Sequence, residues 1–227
     1  MTPTLDRPTQ TAARSASPPR PPAHRMTFAE YMEHERLSEA KHDLIDGVMV
    51  PVWPVRDAKG EPVSGATSTH NTISANITIE LGIALRGTRC RVLTSNQKIY
   101  INNRTGYYPD VTVVCGELRL AFVEALQNPV LIVEVLSPST ERRDRTTKWG
   151  HYQAIESLQH YALIDQYKPL VTWYERGENG AWLAPRTVGA LTDTWRFVLN
   201  QTPVAISLRE VYAHIAFDAD GAAEGNP

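Results

Sequence analysis

The sequence is poor in cysteine, in long apolar runs and in net charge, and each shortage removes a class of protein. Only Cys90 and Cys115 occur in the 227 residues. They make neither a metal-ligand spacing nor a disulfide framework, so they read as small buried thiols of a reducing compartment. No apolar run approaches the roughly 18 residues that a membrane span needs, and the opening residues carry no signal-peptide apolar region. A cytoplasmic protein with no membrane partner is therefore expected. The net charge of −2 gives the chain as a whole no bias toward polyanions. Its basic residues are nevertheless uneven: Arg86, Arg89, Arg91, Lys98 and Arg104 occur with no acid among them. That stretch reads either as a solvated face or as a strip that tracks phosphates.

What the chain has is enough apolar material, 42% of residues, for one well-buried core. Residues 1–25 are rich in Pro, Ser, Thr and Arg and read as a disordered leader. Order is expected over 26–215 as one domain, with an acidic, Gly-rich flexible tail at 216–227. Thr27 with Glu30 three residues on predicts a capped helix through TFAEYMEHERL. HDLIDGVMVPV predicts a hairpin about Asp46-Gly47. Ile73, Ile77, Leu81 and Leu85 lie four apart and predict a helix over 70–86.

The segments RCRVLT, QKIYI, YYPDVTVV and PVLIVEVL then read as strands, and a second helix is predicted over 145–157 with Asp144 as its cap. HYALID, PLVTWYER, AWLAPRTV and TWRFVL read as further strands, and SLREVYAHI as a closing helix. The expected class is α/β (α+β), a mixed β-sheet core flanked by helices. The apolar strands TWYER and TWRFVL are candidates for a self-association surface.

One residue resists this apolar reading. VLIVEVL looks like a strand buried on both faces, yet Glu134 stands in its middle, and a buried carboxylate is costly unless paired, hydrogen-bonded or bound to a cation. Its candidate partner is Asp110 in YYPDVTVV, which follows Pro109 at a strand start. Side chains alternate along strands, so neighbouring strands can bring Asp110 and Glu134 to one face near one end. Two such carboxylates repel unless a proton or cation intervenes, and hard oxygen ligands suit magnesium.

Pro109-Asp110 and a strand-borne Glu134 resemble the PD-(D/E)xK nuclease superfamily. The ordered set YPDVTVV, VLIVEVLSPST, DRTTKWGHY and HYALID is more specifically similar to the Uma-type restriction-endonuclease family. The resemblance implies a restriction-endonuclease-like fold and a magnesium-dependent DNA endonuclease, with manganese as a possible substitute. It assigns Asp110, Glu134 and Lys148 to catalysis, and Asp110, Glu134 and the backbone carbonyl of Val135 to the metal.

Leu136 occupies the position where the superfamily usually carries its lysine, and the Uma-type pattern instead uses the helix lysine, here Lys148. Lys98 on QKIYI is the rival ammonium. Asp43 in DLIDGV stands where the family often has Glu, so direct ligation by this shorter side chain is in question. Asp144 reads first as a helix cap. His70 can touch a substrate phosphate or be satisfied by backbone groups at its helix start.

The resemblance also implies DNA as partner and a homodimer. Replacing Lys148 by alanine is expected to reduce cleavage by several powers of ten while leaving folding and metal binding nearly intact. The altered positions Leu136 and Asp43 favour an alternative, a catalytically inactive nuclease-fold domain that binds nucleic acid or a protein. A metal-free carboxylate pair acting on sugars is a further alternative, less suited to the basic segments nearby.

Overall fold

The computed structural model describes residues 25–52, 55–56, 62–63 and 66–217. The expected leader apart from residue 25, the expected tail apart from residues 216–217, and most of the loop over 56–68 lie outside them. In chain order, α1 (Phe28–Leu37) leads to β1 (His42–Ile45), β2 (Val48–Pro51), β3 (Val55–Arg56), β4 (Pro62–Val63) and α2 (Ser68–Ala84). Then come β5 (Cys90–Thr94), β6 (Ile99–Asn102), β7 (Thr105–Tyr107), β8 (Val111–Cys115), β9 (Leu120–Ala121), β10 (Ala125–Leu126) and β11 (Leu131–Leu136). Next, α3 (Glu141–Arg143) runs through a π-helical turn, Asp144–Lys148, into α4 (Trp149–Tyr152). The last described elements are β12 (His160–Asp165), β13 (Val171–Glu175), β14 (Arg186–Val188), β15 (Thr194–Leu199), β16 (Thr202–Ser207) and α5 (Leu208–Val211).

Local chemistry accounts for the secure elements. Thr27 accepts from the backbone N–H of Glu30 while the Glu30 carboxylate reaches back to the Thr27 backbone, a reciprocal cap that starts α1. Asp46 and Gly47 take φ of 49° and 82°, the left-handed pair that a two-residue hairpin between β1 and β2 demands. The stripe Ile73, Ile77 and Leu81 of α2, continued by Leu85 at its C-terminal cap, is buried against Val111 and Val113 of β8 and Val133 and Val135 of β11. Each such side chain contributes about 1.5–3 kcal/mol through burial.

The expected α+β class with mixed sheets is observed, but most strands divide between two six-stranded sheets, ordered β2-β1-β7-β6-β10-β9 and β14-β13-β12-β11-β8-β5, with β15-β16 and β3-β4 as separate pairs. The division falls inside YYPDVTVV, expected as one strand. Pro109 has no N–H for a ladder and the N–H of Tyr108 donates to the Asp43 carboxylate, so β7 ends in the first sheet and β8 begins in the second.

β11 is central in the second sheet. One face packs on α2, and the other carries Ile132 and Leu136 into a cluster with Tyr152, Tyr161 and Leu163. This two-sided burial explains the continuous apolar run.

Several expectations are corrected. The second helical segment spans 141–152, and Asp144 lies within it, not at its cap; Thr140 precedes α3. The expected closing helix shortens to Leu208–Val211: Ser207 is still paired in β16, and past Val211 the backbone leaves the helical region at Tyr212, with φ −102° and ψ 19°, and reaches positive φ at His214. AWLAPRTV contributes only Arg186–Val188 as a strand, just after Pro185. Trp173, Trp195 and Phe197, expected at a self-association surface, are buried in the α2 core. Cys90 and Cys115 are not free thiols. They stand directly opposite each other on β5 and β8 and form a disulfide, a pairing set by strand register that linear spacing does not reveal.

Candidate functional site

β8 and β11 pair antiparallel with Val111 opposite Val133, so one further step sets Asp110 opposite Glu134. The two acids line one narrow pocket together with Asp43, His70, Val135, Arg143 and Lys148. Asp110 lies just before β8 and accepts the backbone N–H of Val135 at Oδ2, 2.7 Å away. In an extended strand the N–H and C=O of one residue point to the same edge, so the Val135 carbonyl faces the Asp110 end. His70, one turn into α2, brings Nε2 within 3.3 Å of the same Asp110 oxygen. The sequence left His70 between phosphate contact and backbone satisfaction; the fold sets it against a site carboxylate.

The helical segment supplies the cation. Lys148 Nζ donates to Glu134 Oε1 at 2.9 Å and lies 3.0 Å from Asp144 Oδ1, with the three side chains only 5%, 3% and 2% exposed. Tyr152 Oη donates to the same Glu134 oxygen at 2.9 Å. Asp144, Lys148 and Tyr152 follow at intervals of four, and all three side chains are buried. The π-helical turn begins at Asp144, whose carbonyl accepts a hydrogen bond from the Tyr161 hydroxyl. Sequence reading did not single out Tyr152 for the site; its repeat with Asp144 and Lys148 was the available signal for a polar role.

Asp43 reaches the pocket from β1, where Oδ1 accepts the Tyr108 N–H at 3.0 Å and Oδ2 is buried without a hydrogen-bond partner among the described residues. Lys98 is not brought in. Its Nζ faces Glu124 at 3.6 Å and the rings of Tyr31 and Tyr108, outside the pocket lining.

Burial governs the electrostatics. Desolvation raises the Glu134 carboxyl well above its ordinary value, opposed by Lys148 and reinforced by Asp144 and Asp110. Asp43 is likewise raised by desolvation, with Lys148 and the Tyr108 N–H pulling the other way. Burial alone would lower the Lys148 ammonium, but the negative charges of Asp144, Glu134, Asp43 and Asp110 outweigh it and hold Lys148 raised and cationic.

The carboxylates of Asp43, Asp110, Glu134 and Asp144 thus outnumber the side-chain cations Lys148 and Arg143 around the pocket. The free space is about 10 Å3, room for one water-sized occupant. Hard oxygen donors and an orphaned Asp43 oxygen are the kind of donor set that suits a divalent cation. Among the described residues, no group of three or more His, Cys, Asp or Glu side chains is placed to hold a metal ion by side chains alone.

Comparisons with known proteins agree with the fold. Two proteins of Synechocystis, sll1609 and slr1290, each described only as uncharacterized, are 30% identical over 167 and 169 residues. These alignments span 72% and 74% of this chain and 88% and 83% of the relatives. A crystal structure from Anabaena variabilis, titled a putative nuclease belonging to DUF820, superposes with a TM-score of 0.62 at 14% identity. It matches 83% of this chain and 98% of the other, and at that identity the likeness carries the fold alone. The family model Uma2, described as "Putative restriction endonuclease", matches residues 28–209. With that match running from the first residue of α1 into α5, the chain belongs to the Uma2 family.

Proposed function

We propose that the protein is a metal-dependent DNA endonuclease that hydrolyses phosphodiester bonds to leave a 5′-phosphate. The observation that carries this reading is the meeting of Asp110, Glu134, Asp43 and Lys148 at one pocket from four separate segments of the chain. Asp110, Glu134 and the Val135 carbonyl hold magnesium, or manganese in its place. When bound, the ion acidifies a water and offsets charge on the phosphate.

Lys148 acts as a fixed ammonium that orients the attacking water and neutralises charge growing on the phosphate oxygens. Tyr152 and Asp144 position it and Glu134, and His70 orients Asp110. Lys98 has no part in the chemistry. The reading includes a homodimer that cuts both strands of a duplex.

Incubation with plasmid and single-stranded DNA under magnesium, manganese or chelator tests the reading. Metal-dependent cutting that Asp110→Asn abolishes is the expected result. Cutting that persists in chelator, or at the wild-type rate in Asp110→Asn, overturns it.

A second reading has one observation in its favour: Glu134 Oε1 is already engaged by both Lys148 and Tyr152. On that reading the domain binds nucleic acid or a protein without cutting, and the same incubation gives no product with either metal.

A further inference from the structure

An open groove of about 490 Å3 adjoins the pocket and shares Arg143 with it. Its lining is Ile45, Ser139, Arg142, Arg143, Thr146 and Thr147. Ile45 comes from β1, the strand that carries Asp43 into the pocket. Thr146 and Thr147 follow Arg142 and Arg143 at intervals of four along the helical segment. The groove therefore runs along the same segment that delivers Lys148.

The chemistry of this lining is one-sided. It offers two guanidinium groups and three hydroxyls, and no carboxylate. Both acids of the segment are already matched, Glu141 to Arg145 at 2.7 Å and Asp144 to Lys148 at 3.0 Å. Arg142 and Arg143 are left without an ion pair among the described residues, and the Arg143 Nε is buried with no hydrogen-bond partner. A guanidinium donor buried without an acceptor is costly, and the cost is recovered when an anion with planar oxygen pairs arrives.

We propose that this groove binds the DNA backbone next to the scissile phosphate. Arg142 and Arg143 each take the non-bridging oxygens of a flanking phosphate, and the hydroxyls of Ser139 and Thr147 supply further donors, while the Thr146 hydroxyl donates to the Arg142 carbonyl. Arg143, which borders both spaces, sets the register between the held phosphate and the pocket. The inference rests on the endonuclease reading for its choice of ligand and extends it by naming where the uncut part of the strand lies. Charge complementarity and continuity with the pocket select a phosphodiester over an apolar or acidic partner.

The test measures binding apart from cutting. Anisotropy of a short labelled duplex is followed in chelator at increasing salt for the wild type, Arg142→Gln/Arg143→Gln and the control Arg145→Gln. Arg145 is also basic but is paired with Glu141 and lies outside the groove lining. Each lost phosphate contact reduces the slope of log affinity against log salt by about 0.9, so the double variant should flatten it by about 1.8. Thermal melting confirms that both variants are folded, and Arg145→Gln should bind as the wild type does.

The groove assignment is overturned if the double variant keeps the wild-type affinity and slope, if Arg145→Gln loses as much, or if the wild type shows no salt-sensitive binding. Wild-type binding that the double variant loses, without cleavage under either metal, leaves the groove standing and removes the endonuclease reading. Unchanged binding with intact cleavage does the reverse.

Discussion

Replacing Lys148 by methionine keeps the length of the side chain and removes its charge, which strands Glu134 and Asp144 in a buried setting. The native ammonium lies 2.9 Å from one carboxylate and 3.0 Å from the other. Removing one partner of a buried pair costs about 3–5 kcal/mol.

A loss of about 3–5 kcal/mol at pH 7 is therefore expected, measured by urea unfolding in chelator with linear extrapolation. This corrects the sequence-based expectation that removing Lys148 leaves folding nearly intact. Lys148 lowers the Glu134 pKa in the folded protein, so its removal drives that pKa further above the ordinary value of 4.5. A protonated Glu134 carries no stranded charge, so the deficit should shrink as pH falls toward 4.5. Neutralising the whole cluster in Glu134→Gln/Asp144→Asn/Lys148→Met should recover most of the loss, because the penalty lies in unmatched charge. A single variant within about 0.5 kcal/mol of the wild type at pH 7, or a deficit that grows on acidification, would refute the reasoning.

Tyr152→Phe removes one hydrogen bond to the Glu134 carboxyl and should lower urea stability by about 1.5–3 kcal/mol; an unchanged unfolding midpoint would show that the hydroxyl does not support Glu134. His160 has its pKa lowered by burial, so the folded protein keeps it neutral. The stability tied to that neutral ring is present above the unfolded value of 6.5 and is lost as pH falls below it; His160→Gln should flatten the stability profile there, and an unaltered slope counts against it. The Cys90–Cys115 disulfide closes a loop with a sequence separation of 25, so reduction should cost about 3 kcal/mol in urea unfolding. Alkylation of two thiols in denatured, unreduced protein would contradict the pairing.

Much of the fold and part of the site were legible from local pattern. The Thr27–Glu30 cap, the Asp46-Gly47 turn and the stripe Ile73, Ile77, Leu81 and Leu85 depend on near neighbours, and each forms the element its pattern predicts. An acid inside an apolar strand likewise announces a buried carboxylate that needs a partner, and Asp110 follows from alternation once its strand is taken as the neighbour. The chain alone could not decide how strands are shared between sheets, because that turns on where the Tyr108 N–H finds its acceptor, 65 residues away in Asp43.

The disulfide escaped linear reading for a related reason: opposition of Cys90 and Cys115 is a property of register between β5 and β8. Asp144 looked like a cap because cap preference is local, whereas its partner Lys148 is fixed by the helical turn and the burial around it. Residue types and their periodicity thus determined the elements and the need for a compensated charge at Glu134. Only tertiary packing decided which ammonium compensates it, choosing Lys148 over Lys98, because desolvation and distance act between side chains brought together by the sheet and its covering helices.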